Sequence, residues 1–340
     1  MSQYNFIKEI AKYGLQNDQE SLLKTLMELI DYSKQHNKGQ FALQLQSIVR
    51  DSRNKQQLNS ISKYAYLKHT SEEDKDISEF IIEKLTSEFR FENLVCEYHV
   101  KEELKLFVQE HLAIEKLQKF QLPVANRILL YGHSGCGKTL ASYVLAGELD
   151  KTMFVVNLGA IVSSKLGETS KNLSKIFRKI ASEQCIIFID EFDALGKVRD
   201  YSQDHAEMKR VVNTLLQLFD YLPQESIVIA ATNYAEAIDE ALLRRFDVKV
   251  HFSLPKLPQI RELIEKTLYS GSFVFDNIKL AEKITENSVG LSYYEAQKTL
   301  LTAMKRSLMN RQENAPMPIL IDTKLWEALV QQEKVNKQTL

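Results

Sequence analysis

The stretch Gly132-His133-Ser134-Gly135-Cys136-Gly137-Lys138-Thr139 constrains this chain more than any other, because it matches G-x-x-x-x-G-K-[ST] in a context that gives the pattern physical meaning. An apolar run at 128–131 precedes it, and helix-forming residues follow it through Ala146, so the chain reads strand, loop, helix. Gly132, Gly135 and Gly137 let the backbone curl until successive N–H groups and the N-terminus of the next helix converge on one point. Such a point attracts phosphate oxygens. Lys138 adds a cation suited to β- and γ-phosphates, and Thr139 a hydroxyl suited to Mg²⁺, which prefers oxygen ligands. His133, Ser134, Cys136 and Leu140 complete the expected ATP-contacting set. A thiol at a helix N-terminus can become nucleophilic, but Cys136 reads more simply as a small residue that fits the turn.

A strand that feeds a helix needs neighbouring strands. Further β-rich runs at 153–157, 185–190, 227–231 and 248–252 alternate with helix-length segments, which predicts five parallel strands with helices on both faces. After Pro255 only helical patterns follow, at 259–269, 277–286, 292–309 and 323–332, and predict a small all-α lid domain. Toward the other end, apolar residues at helical spacing on either side of Asn37-Lys38-Gly39 predict a helical hairpin. Residues 1–70 carry 10 basic and 6 acidic side chains, whereas 71–90 carry 7 acidic and 3 basic, which suggests a boundary near residue 70. The expected division is a helical partner-recognition domain over 1–70, an acidic linker over 71–90, an α/β domain over 91–254 and the lid over 255–340.

Two other strand ends carry chemistry. The run 185–189 is apolar and ends in Asp190-Glu191, 52 residues after Lys138. Packing gives no reason for an acid pair there. Asp190 can hold Mg²⁺ through water, while Glu191 can point the other way and polarise an attacking water. A kinase acting on a bound acceptor has no use for a water-directed carboxylate, so the pair favours hydrolysis. Asp193 extends the acidic cluster, with solvation as its simplest role. The run 227–231 ends in Thr232-Asn233, and Asn233 could orient the water opposite Glu191. Arg244-Arg245 close an apolar helical turn. They suit either the negative end of that turn or a finger that stabilises charge on the γ-phosphoryl group of a neighbouring subunit.

Composition narrows the setting. Apolar residues make up 44% and charged residues 26% of 340, so the chain is globular rather than disordered. With 44 basic against 45 acidic side chains, no general attraction to nucleic acid is expected. No apolar run is long enough for a membrane helix and residues 1–10 have no secretory character, which points to a cytoplasmic protein without a membrane partner. Cys96, Cys136 and Cys185 are too scattered for a zinc spacing.

Taken together these residues resemble an AAA+ ATPase, specifically the AAA branch that includes katanin, spastin and the ATPase that disassembles ESCRT filaments. The likeness spans residues 91–311. It places Walker A at 132–139, Walker B at 185–191, sensor 1 at Asn233 and paired arginine fingers at Arg244 and Arg245. The resemblance implies an α/β P-loop NTPase fold with ATP and Mg²⁺ as cofactors. It also implies a homo-oligomeric ring, a hexamer in the family, that remodels a protein substrate. Leu166-Gly167-Glu168 resembles the segment after the first central-pore loop, but Lys165 stands where the family carries an aromatic grip. The second pore loop corresponds to 198–209, with His205, Glu207 and Lys209. Tyr293 and Tyr294 open the expected lid helix, where lid packing is their simplest role. Overall texture, including Leu-Leu-Arg-Arg-Phe-Asp, is similar to bacterial single-ring AAA ATPases of defence islands that accompany a separately encoded subtilisin-like protease. No H-E-x-x-H is present, so proteolysis would belong to a partner. Two other readings share the core. One is a nucleotide-switched DNA-associated ATPase, a loader or transposition helper, and the other is a scaffold in which ATP binding alone orders the ring.

Overall fold

A computed structural model describes Thr25, Leu29, Tyr32 and residues 80–340 apart from 159–168, 196–203, 270, 312–316 and 340. The chain divides into two compact units, Met1–Tyr66 and Leu67–Leu340. In the first, Thr25, Leu29 and Tyr32 are helical; the rest of the hairpin expected over 1–70 lies outside the described residues. Lys165, 166–168 and 198–203 of the two expected pore loops also lie outside them, as do the side chains of His205, Glu207 and Lys209.

The second unit begins with β1 (Ile81–Thr86), α1 (Tyr98–Leu112) and α2 (Ile114–Lys119). Strands and helices then alternate: β2 (Arg127–Gly132), α3 (Lys138–Glu148), β3 (Thr152–Val156), α4 (Thr169–Glu183), β4 (Ile186–Ile189), α5 (Asp204–Asp220), β5 (Ile227–Thr232), α6 (Glu240–Leu243) and β6 (Val248–Phe252). The lid follows as α7 (Leu257–Leu268), β7 (Phe273–Phe275), α8 (Ile278–Asn287), α9 (Tyr293–Met309), β8 (Ile319–Ile321) and α10 (Thr323–Thr339).

The strands form one sheet in the order β1-β3-β4-β5-β2-β6, parallel throughout except that β1 runs antiparallel to β3. The five parallel strands lie where the apolar runs place them. The edge strand β6 exposes Lys249 and His251, whereas the inner strands β2, β4 and β5 are apolar because both faces are covered: Ile128 and Leu130 of β2, Ile186 and Phe188 of β4, and Ile227 and Ile229 of β5 enter one core. Leu129, Ile187, Ile189, Val228 and Ala230 enter the other, as the two-residue period of a strand requires.

Two expectations are corrected. Part of the stretch read as an acidic linker, Ile81–Thr86, is an edge strand. Alternate residues of β1 are exposed, and its outer face carries Lys84, which pairs with Glu183 at 3.1 Å. An edge strand with one solvated face tolerates such charges, and its composition therefore resembles a linker. The lid, expected to be all-α, contains the short parallel pair β7–β8. These three-residue strands are too brief to set a period against the helices around them.

Strand order positions the site. β2 lies between β5 and β6, so the chain leaving β2 must pass β5 and β4 to reach β3. Tyr131 is level with Thr232, and Ile189 with Ala230, so the carboxyl ends of β2, β4 and β5 stand side by side. Loops at such a crossover open the crevice where ligands bind in doubly wound sheets.

Candidate nucleotide-binding and catalytic site

A cavity of about 450 Å³ lies over these strand ends, lined by Ser134 through Leu140, Asp190, Glu191 and Asn233. The loop leaving β2 uses backbone angles that glycine adopts without strain: φ is 131° at Gly132, 70° at Gly135 and 94° at Gly137. A Cβ on Gly132 would stand 2.2 Å from the Phe252 carbonyl oxygen, so that position is closed sterically as well. Gly137 ends the loop and α3 begins at Lys138, with its first N–H groups directed into the cavity end.

Lys138 is buried, and its Nζ donates to the Gly132 carbonyl at 2.8 Å, the His133 carbonyl at 2.8 Å and Asn233 Oδ1 at 2.7 Å. Burial lowers its pKa, while Cys136, Asp190 and Asp193 act against that shift. His133 itself is exposed and, like Gly132, does not line the cavity. Cys136 is fully buried and burial raises its thiol pKa, so the thiolate that a helix N-terminus can favour is not stabilised here.

Thr139 Oγ1 donates to Asp190 Oδ2 at 3.2 Å. A hydroxyl and a carboxylate side by side form an all-oxygen donor set that fits Mg²⁺. The left-handed glycines, helix N-terminus and buried ammonium fit a polyphosphate. Asp190 Oδ1 accepts from the Glu191 N–H at 2.9 Å, and Glu191 is exposed with φ at 50°. Such a backbone is costly for a residue other than glycine.

Asp193, for which solvation was the simplest expectation, is instead buried and accepts from Thr232 Oγ1 at 2.9 Å. Arg244 and Arg245 are not among the residues that line the cavity. Arg244 pairs with Glu240 one helical turn back and its side chain is 75% exposed; Arg245 pairs with Asp220 at the end of α5 at 2.7 Å. Asp247 anchors the chain beyond the arginines by accepting from the N–H groups of Asn126 and Arg127 and from the Arg127 guanidinium.

Sequence reasoning missed one wall. Asn93, Leu94 and Val95 line the cavity ahead of α1, and Leu263 and Gln297 line it from the lid. Tyr293 and Tyr294 lie on it too. The Tyr294 N–H donates to the Gly135 carbonyl at 3.0 Å, and the capping pair Ser292–Glu295 fixes the start of α9 on the loop. No local pattern marks Leu94 or Leu263, because only tertiary packing brings them to the loop. The apolar part of this wall, Leu94, Val95, Leu263 and Tyr293, suits a planar base.

Residues 128–254 match the family model described as ATPase family associated with various cellular activities (AAA). The chain is 34% identical over 209 residues to an uncharacterized AAA family ATPase of Sinorhizobium fredii, 61% of each chain being covered. It is 33% identical over 219 residues to cell division protein C of Sulfolobus acidocaldarius, which covers 61% of this chain and 57% of that one. It is 32% identical over 230 residues to the human ATP-dependent zinc metalloprotease YME1L1, covering 64% of this chain and 30% of that protein. The chain thus spans less than two thirds of the length of these curated relatives. Among the described residues no helix is long and apolar enough to cross a membrane.

Proposed function

We propose, from the match of residues 128–254 to the AAA family model, that this protein is a Mg²⁺-dependent ATPase that assembles into a ring and remodels or unfolds a protein partner. One observation carries the hydrolytic reading: Lys138, Thr139, Asp190, Glu191 and Asn233, from three adjacent strand ends, line a single cavity. Lys138 and the N–H groups of the loop hold the phosphates. Thr139 and Asp190 would hold Mg²⁺, which when bound would neutralise phosphate charge. Glu191 takes a proton from the attacking water, and the Asn233 amide orients that water.

Arg244 and Arg245 act in the cavity of a neighbouring subunit, which suits their place outside the cavity of their own chain. On this reading the protein is a homo-oligomer, a hexamer, of the katanin and spastin branch. Several relatives are named for ATP-dependent proteolysis or as a putative proteasome regulatory subunit homolog, which supports a protein substrate. On this reading residues 1–70 select the partner, a separate subtilisin-like protease receives the product, and the setting is phage defence in the bacterial cytoplasm.

ATP hydrolysis per subunit, measured across a wide range of protein concentration, tests the proposal. Specific activity is expected to rise with concentration, to vanish in Glu191→Gln while nucleotide binding persists, and to fall steeply when Arg244→Ala subunits are mixed in. A flat profile unaffected by those subunits would overturn the ring, and salt-sensitive DNA binding would favour the loader reading.

A further inference from the structure

The reading above leaves unused a buried carboxylate two residues beyond Glu191. Asp193 is 1% exposed and Thr232 is also 1% exposed, and the Thr232 hydroxyl donates to Asp193 Oδ1 at 2.9 Å. Thr232 Oγ1 in turn accepts from the Tyr234 N–H at 2.9 Å, so the one hydroxyl fixes the backbone on both sides of Asn233. Asn233 Oδ1 accepts from Lys138 Nζ at 2.7 Å. On the other strand end, Asp193 belongs to the short 3₁₀ turn Phe192–Leu195, and the Ala194 N–H closes that turn onto the Glu191 carbonyl at 2.8 Å. Glu191 itself holds a left-handed backbone, φ 50°, which an acidic residue keeps only where its surroundings impose it. Burying a carboxylate is costly unless it is hydrogen-bonded, so a site that does so has a structural reason for it.

We propose that Asp193 is a positioning residue: its buried bond to Thr232 fixes the spacing between Glu191 and Asn233, and thereby the place of the water between them. The inference rests on the hydrolytic reading of Glu191 and Asn233. Strands β4 and β5 are adjacent, but their ladder ends at the pair Ile189–Ala230 and does not hold the residues beyond it in register with each other. The Asp193–Thr232 bond replaces it at that level. Reaction geometry is sensitive to small displacements, and a shift of roughly 1 Å can cost on the order of 100-fold in rate. Two features of the bond suit this task. Both partners are almost completely buried, so water does not compete for it. It also joins the turn after β4 to the end of β5 rather than stabilising either alone.

The test uses the full chain at a concentration where specific activity has levelled off. Thr232→Val, which keeps shape and removes the hydroxyl, is expected to lower kcat by roughly 10- to 100-fold with nucleotide affinity unchanged. Thr232→Ser is expected to retain most of the rate, and Asp193→Asn, which keeps an acceptor oxygen, to fall between them. Amide hydrogen exchange gives a readout independent of turnover: Thr232→Val should raise exchange in the turn 192–195 as well as around Asn233, with the exchange of α1 unchanged. Full activity and unaltered exchange at 192–195 in Thr232→Val would overturn the positioning role. Loss of rate that Thr232→Ser does not rescue would also overturn it, as would a rise in exchange spread over the whole sheet and α1 alike. Glu191→Gln separates the two levels. If that variant hydrolyses ATP normally, the assignment of Glu191 is wrong; if it is inactive while Thr232→Val is normal, only the positioning inference is wrong.

Discussion

At the scale of single residues, burial decides reactivity here. Cys96, Cys136 and Cys185 are all buried, and burial pushes the Cys96 thiol up to about 11 and that of Cys185 up to about 12, with Cys136 raised as well. A thiol-specific disulfide reagent at pH 8 is therefore expected to find no fast-reacting cysteine among the three in native protein and all three in guanidinium chloride. The sequence placed Cys136 in the phosphate loop but could not show that α9 covers it, since the residues that cover it lie more than 150 positions further on. Asp193 was hidden in the same way. Read beside Asp190 and Glu191 it looks like one more exposed acid, and its partner Thr232 is on another strand.

At the scale of elements, close approach replaces side chains with backbone. Gly147 lies inside α3, where glycine is normally unfavourable, and a Cβ there would come 1.9 Å from the Phe89 carbonyl oxygen. Arg90 Nη1 would stand 2.9 Å from the same Cβ. Gly147→Ala should therefore destabilise the protein by about 1–3 kcal/mol despite its better helix propensity, and equilibrium urea unfolding would measure it. A gain in stability would mean that the 87–91 segment can move off α3 freely. The aromatic cluster behind the site is also an element-scale feature. Phe192, next to Glu191, meets Phe246, next to Arg245, edge to face at 5.6 Å, and Phe246 meets Phe219 of α5 at the same spacing. One buried cluster thus supports both the acidic strand end and the arginine turn.

For the molecule as a whole, the lid and the sheet share a core. Leu263, Ile284, Tyr293, Leu300 and Trp326 join residues of β2, β4 and β5 in one apolar cluster, and Trp326 stacks on Phe275 of β7 at 5.1 Å. Stability should depend on pH through His111, buried at the end of α1 with its Nε2 2.8 Å from the Ala125 carbonyl. Burial lowers its pKa from 6.5 to about 4 in the folded protein. Between those values the unfolded chain binds the extra proton and the folded one does not, so stability is lost as pH falls through that window. At the acid end the loss approaches about 3 kcal/mol. Thermal melts at pH 7 and pH 4.5 should show a smaller difference in His111→Gln than in the parent protein, and equal differences would remove His111 as the cause.

The sequence by itself determined what depends on neighbours along the chain. It determined the glycine-rich turn between β2 and α3, the apolar parallel strands, and the polar residues at their carboxyl ends, because each follows from local backbone freedom or from two-sided burial. Tertiary structure alone decided what depends on distant contacts: β1 at the sheet edge, the β7–β8 pair, the Asn93–Val95 and lid wall of the cavity, and the Asp193–Thr232 bond. An edge strand needs only one apolar face, and a buried polar pair needs a partner that packing brings across the sheet, so neither leaves a periodic trace in the chain.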